Sequence, residues 1–240
     1  MEFTYDAYRN LLQLLKQEQY SFRDYHTYED TQRCVILRHD IDQSPLAALK
    51  MAELEAEEGV RATYFLLLRT DFYNPTSKVM LSAVRKIHDL GHEIGLHFDE
   101  MAYDGTLTPE ETVQKILLEA QMLSSILQLP ITTVSMHRPS KNTLEADFQI
   151  PGMINSYGKT FFHDFKYLSD SRRNWREPVL DIVRSGEYDR LHILTHAFWY
   201  HDRELEMAET ILNYIEEAKT QRYDCFAENI SDIQALRLLF

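Results

Sequence analysis

Arg38, Asp40 and Asp42 stand at alternate positions at the end of an apolar run, Cys34-Val35-Ile36-Leu37. On an extended backbone that spacing turns all three to one face and His39 to the other. Two carboxylates beside a guanidinium suit a general base and a ligand for a divalent metal. Three later segments repeat the pattern of an apolar run ending in polar groups: Glu93 to Asp99 ends in His97 and Asp99, Ser135 to Pro139 carries His137 and Arg138, and Leu194-Thr195-His196 brings a third imidazole. Burying such groups costs several kcal/mol (about 2–7 for one unpaired neutral group) unless they are paired or ligate a metal. Their recurrence at run ends therefore points to a shared site. Plainer roles are open to some of them: Asp42 as the cap of the following helix, and His97 as a hydrogen-bonded core histidine. His92 follows Gly91 and precedes its apolar run, which suits a structural hydrogen bond.

The elements that would position these residues alternate. Strands are expected at Val35 to Ile41, Ala62 to Leu68, Glu93 to Phe98, Thr132 to His137, Thr160 to Phe165 and Leu191 to Phe198. Helical periodicity covers Ser44 to Glu58, Lys78 to Leu90, Thr108 to Leu127 and Glu204 to Lys219. Thr108-Pro109-Glu110-Glu111 sets an N-cap, a first-turn proline and early acids in order, and Gly91 follows the second helix. Lys141 to Arg190 reads as long loops, because Pro, Gly and aromatics break every period. Strand–helix alternation predicts an α/β fold with parallel strands, in which functional side chains collect at the C-terminal strand ends. The polar clusters obey that rule.

At 240 residues, with 44% hydrophobic and 26% charged residues, the chain fits a single domain spanning 1–240, with 1–32 as an N-terminal helical extension. A net charge of −13 argues against nucleic acid as a partner and against an anionic membrane surface. The run Leu11 to Leu15 is too short to insert in a membrane, and the first residues lack a basic leader, so a cytoplasmic location is expected. Cys34 and Cys225 make no ligand spacing and no disulfide framework. No phosphate loop or nucleophile elbow occurs, which disfavours covalent catalysis.

In their order, these segments resemble the polysaccharide deacetylase family, the NodB-homology barrels of carbohydrate esterase family 4. Val35 to Asp42 resembles the first motif of that family, Gly91 to His97 the run leading into the second, and His137-Arg138-Pro139 the third. Asp170 to Arg176 is a looser match to the fourth, and Leu194-Thr195-His196 resembles the fifth. The resemblance implies an irregular (β/α) barrel with Asp40 as base, Asp42 and His97 as metal ligands, His196 as general acid and Arg138 orienting the base. Two departures stand out. The adjacent Asp pair of the family is stretched to Asp40-Ile41-Asp42, and Met101 occupies the place of a second metal-binding histidine. A thioether is a poor ligand for a hard cation. His137 is the proposed third ligand and Asp99 its rival. The implied cofactor is a divalent metal, zinc by donor type, and the implied activity is hydrolytic removal of an N-acetyl group from a sugar or glycan precursor in surface polysaccharide biosynthesis. The alternatives are a metal-free barrel that binds carbohydrate or serves as a scaffold, and a metal-dependent phosphoesterase.

Overall fold

A computed structural model describes residues 1–230. Met1–Asp202 form one compact unit; a second, from Arg203 onward, is built on the long helix α8 (Met207–Ala227). Among the described residues no helix is long and apolar enough to cross a membrane.

The first unit opens with α1 (Tyr5–Gln17), whose N-cap Thr4 accepts the Ala7 N–H and whose buried stripe is Tyr8, Leu11, Leu12 and Leu15. A short strand β1 (Ser21–Arg23) follows, so residues 1–32 contribute a strand as well as a helix. Then come β2 (Cys34–Ile41), α2 (Pro45–Glu57), β3 (Thr63–Leu67), α3 (Lys78–Asp89), β4 (Glu93–Asp99), α4 (Pro109–Leu127) and β5 (Thr133–His137). The four strands and three helices expected here are present. Thr108 and Glu111 form a reciprocal capping box behind Pro109 on α4.

All strand pairs are parallel, in the order β6-β5-β4-β3-β2-β8-β7, with β1 beside the start of β2. β6 (Ile154–Asn155), β7 (Lys166–Ser169) and β8 (Arg190–Thr195) complete the sheet. Its curl is visible in one contact. Arg38 on β2 donates to the hydroxyl of Ser156, just beyond β6 and four strands away, at 3.1 Å. A flat sheet with strands about 4.8 Å apart would separate them far beyond reach. The sheet is thus a half-barrel, open between β6 and β7.

The sequence reading fails between 141 and 190. Thr160 to Phe165, expected as a strand, lies mostly in α6 (Lys159–His163), and the strand comes next as β7. Phe161 and Phe165 are buried against Tyr25 and His192, so tertiary packing overrides the strand preference of Thr-Phe-Phe. The supposed long loops also contain α5 (Lys141–Ala146), β6 and α7 (Val179–Ser185). Each is too short for its period to register.

Along β2 the side chains alternate as a strand buried on both faces requires. Val35, Leu37 and Ile41 join the main core between sheet and helices, while Cys34 and Ile36 join a smaller cluster inside the half-barrel with Phe65, Phe161 and Tyr25. His39 faces outward, where its Nε2 meets Glu55 of α2 at 2.8 Å and its Nδ1 meets Thr195 Oγ1 at 2.6 Å. Glu55, fully buried, also accepts the hydroxyls of Tyr8 and Tyr64. His92 accepts the Ala62 N–H and donates to the Ala52 carbonyl, the structural role its position suggested.

His192 sits inside the half-barrel. Its Nδ1 donates to the Phe161 carbonyl and its Nε2 accepts the Tyr25 hydroxyl at 2.8 Å, a pairing only the neutral ring can make. Burial, assisted by the charge of Arg38, pushes its pKa down to about 3. The unfolded chain binds this proton near pH 6.5 and the native protein does so only near 3, so the stabilisation is complete above about 6.5 and is lost as pH falls below it. At pH 4.5 the loss is about 2–3 kcal/mol. Urea unfolding from pH 7 to 4.5 should show this slope in the native sequence and a slope shallower by about one proton in His192→Gln; equal slopes would refute the assignment.

Candidate metal and acid–base site

β2 delivers Arg38, Asp40 and Asp42 to the C-terminal mouth of the half-barrel. Arg38, fully buried, is the deepest of the three. Its Nη2 lies 2.7 and 3.0 Å from the two oxygens of Asp40, and donates to Ser135 Oγ at 2.5 Å. The guanidinium rests over Phe65 at 5.2 Å and Tyr157 at 5.1 Å. Phe65 comes this close to β4 only because residue 95 is glycine: a Cβ there would meet its ring at 2.6 Å. Burial alone would raise the pKa of Asp40, but Arg38 together with the imidazoles of His97 and His196 outweighs it and holds the carboxylate below its usual range.

Asp42 lies just past β2. It does not cap α2, since Ser44 does so by accepting the Ala47 N–H. Its Oδ1 stands 3.2 Å from His97 Nε2 and 3.3 Å from His137 Nδ1. Parallel pairing of β4 with β5 sets His97 opposite Ser135, and Asp99 opposite His137. The Nδ1 of His97 points to the Ser135 carbonyl at 3.4 Å, which can only accept, so in the neutral ring Nε2 turns its lone pair toward Asp42.

Asp42 Oδ1 and His97 Nε2 are both buried without a hydrogen-bond partner, and with the imidazole neutral they are two acceptors face to face. Such an arrangement is unfavourable unless a cation or proton lies between them. The ligand atoms of Asp42, His97 and His137 all fall within 4.8 Å of one another. Electrostatics agree: despite burial, the imidazoles of His137 and His97 pull Asp42 well below the usual carboxylate range, and Asp42 in turn raises His137. The cluster therefore favours positive charge. One carboxylate and two imidazoles, with one imidazole fixed by a backbone carbonyl, fit a divalent metal.

His196, just beyond β8, approaches from the other side, its Nε2 3.8 Å from Asp42 Oδ2. Its Nδ1 lies 2.6 Å from Asp170, which also accepts the His196 backbone N–H and the Tyr200 hydroxyl. Burial disfavours the charged ring, but Asp170, with Asp42 and Asp40 adding to it, outweighs burial and lifts the pKa to about 9. Asp170, fully buried at the end of β7, was visible in the sequence only as the first residue of a loosely matching segment. Its signal is one of position, an Asp one residue beyond the pair Tyr167-Leu168.

Four of the expected residues, Asp40, Asp42, His97 and His196, are brought together, and His137 rather than Asp99 joins them. Arg138 does not reach Asp40. It pairs with Asp99, and Arg38 holds Asp40 in its stead. The reason is chain direction: Arg138 follows the outermost residue of β5, beyond the depth of Asp40, whereas Arg38 shares the inner face of β2 with it. Met101 is exposed at the rim.

Arg38 and Asp40 form a buried pair, so removing one partner strands the other. Arg38→Met should lower stability by about 3–5 kcal/mol, and the double variant Arg38→Met/Asp40→Leu should recover part of that loss. Urea titration of the wild type, both single variants and the double variant checks this; strict additivity would mean the pair is not coupled.

No protein-family model matches the chain, and comparison with curated proteins gives no match. Among solved structures the chain is similar to a carbohydrate esterase family 4 pseudoenzyme from Bacillus anthracis, with 18% identity, 80% of this chain covered and a TM-score of 0.46. The chain spans 62% of the length of that protein. It is similar to a chitin deacetylase from the fungal pathogen Colletotrichum lindemuthianum, at 13% identity over 76% of this chain and 81% of the other, with a TM-score of 0.47. A Streptococcus pyogenes deacetylase determined with acetate gives 12% identity, 80% coverage of each chain and a TM-score of 0.47.

Proposed function

We propose that this chain is a metal-dependent hydrolase that removes an N-acetyl group from a sugar or glycan precursor, in the assembly of a surface polysaccharide. The observation that carries the reading is the convergence of Asp42, His97 and His137 around two unpartnered buried ligand atoms, with a paired carboxylate and an Asp-held imidazole on either side. A sugar acetamide is the substrate that the ordered segments imply. A divalent ion held by Asp42, His97 and His137, zinc by donor preference, would supply Lewis-acid polarisation of the amide carbonyl.

The side chains divide the remaining work. Asp40, kept ionised by Arg38 and unable to rotate away, accepts a proton from the attacking water. His196 carries its proton at neutral pH because of Asp170, and Nε2 donates it to the departing amine nitrogen. An amide leaves poorly as an anion, so this proton delivery is required. Base and acid sit on different strands with separate counter-ions, Arg38 and Asp170, which lets an ionised carboxylate and a protonated imidazole coexist.

Metal analysis after reconstitution with zinc should give about one ion per chain. His137→Ala should lose most of it and Asp99→Ala should keep it; a wild type that binds no metal would overturn the proposal. Asp40→Asn should retain the metal while acetate release falls by roughly 10²–10⁴-fold, and undiminished turnover would remove Asp40 from the mechanism.

A further inference from the structure

We propose that the cleft beside Asp42 and His137 holds an anionic group of the substrate, a phosphate or a carboxylate, on the guanidinium groups of Arg69 and Arg138; this rests on the acetamido-sugar reading above. The cleft, of 620 Å³, is lined by both arginines together with Asp42 and His137, and by Asp71 and Phe72 from the loop that carries Arg69. The two arginine side chains are 48% and 61% exposed, so they are reachable from solvent.

Each arginine is tethered by one edge to a buried carboxylate. Arg69 Nε lies 2.9 Å from Glu119 Oε1, and its guanidinium stacks 4.6 Å over Tyr103, whose hydroxyl donates to the same Glu119. Arg138 uses one Nη on Asp99. A guanidinium has five donors in a rigid plane, so a tether at one edge fixes its orientation and leaves other donors for a second acceptor. Two such groups lining one cleft offer free donors of the kind that phosphate or carboxylate oxygens accept.

The backbone of Arg138 supplies an independent sign. Its φ is +45°, a left-handed conformation that costs a residue with a Cβ, and Pro139 restricts it further. Strain of this kind persists where the surrounding structure imposes it, and it gathers at ligand sites. Here it turns Arg138 onto Asp99 at the cleft instead of down the line of β5. The rim beside Arg69 is equally fixed: the Tyr73 hydroxyl donates to the Ile41 carbonyl at 2.8 Å and accepts the Leu67 N–H, pinning the loop of Arg69 to Phe72 against the end of β2. With a net charge of −13 the chain repels anions at long range, so an anion must be won by local donors such as these.

The test is calorimetric titration of the full chain, stripped of metal by chelator so that no bound ion can hold the anion. The probes are N-acetylglucosamine, N-acetylglucosamine 1-phosphate and N-acetylmuramic acid. One of the anionic sugars should bind at least about tenfold more tightly than the neutral one, and which of them does so separates phosphate from carboxylate. Arg69→Gln and Arg138→Gln, verified as folded by circular dichroism, should each erase the preference. Equal binding of neutral and anionic sugars, no binding of either anionic sugar at millimolar concentration, or a preference that survives both substitutions would overturn the proposal. Acetate release from the same sugars by metal-loaded protein is read separately. If none is released while the preference holds, the hydrolase reading falls and the anion subsite stands.

Discussion

The ion pair between Arg38 and Asp40 constrains everything around it. Two opposite charges taken out of water on one strand face are stable only with close geometry and with their remaining donors and acceptors engaged. The pair meets that demand by drawing in Ser135 from β5 and Ser156 from beyond β6, and by resting the guanidinium between Phe65 and Tyr157. Those partners can gather only if the sheet curls, and Phe65 can lie beneath the cation only because residue 95 lacks a side chain. The half-barrel and its buried cation therefore require one another.

The other face of β2 holds a second polar system with a different purpose. His39 links Glu55 of α2 to Thr195 of β8, and Glu55 also takes the hydroxyls of Tyr8 and Tyr64. Helices α1 and α2 and strands β2, β3 and β8 are thus tied at one buried carboxylate, directly behind Asp40. Adjacent residues of one strand carry chemistry on one face and scaffold on the other. A carboxylate so backed has little freedom to move, which is what a proton acceptor of fixed direction needs.

Charge also sorts the imidazoles. His196, beside Asp170, is lifted to about 9, whereas His192, deep in the half-barrel near Arg38, is pushed to about 3. His97 is fixed by a backbone carbonyl with its lone pair toward Asp42. The same ring thus serves as proton carrier beside the Asp170 carboxylate, as neutral packing group where burial and the field of Arg38 exclude its charge, and as ligand atom where a backbone carbonyl orients it.

Much of this was legible in the chain itself. The two-residue period from Arg38 to Asp42 put three groups on one face and His39 on the other, and the recurrence of polar residues after apolar runs marked His97, His137 and His196 as strand-end residues. Both signals are local, because a strand's own backbone decides which way successive side chains point. What the sequence could not decide was who meets whom. Arg38 and Arg138 each follow an apolar run, and only the depth of each in its strand assigns Asp40 to the first and Asp99 to the second. His137 joins Asp42 and Asp99 does not, because the register of β4 with β5 and the curl of the sheet set distances between residues far apart in the chain. Likewise α6 replaced an expected strand once Phe161 found its partners inside the half-barrel. Residue type and spacing determined the face and the end of each strand; pairing across strands was left to tertiary packing, where register and curvature act on the whole sheet at once.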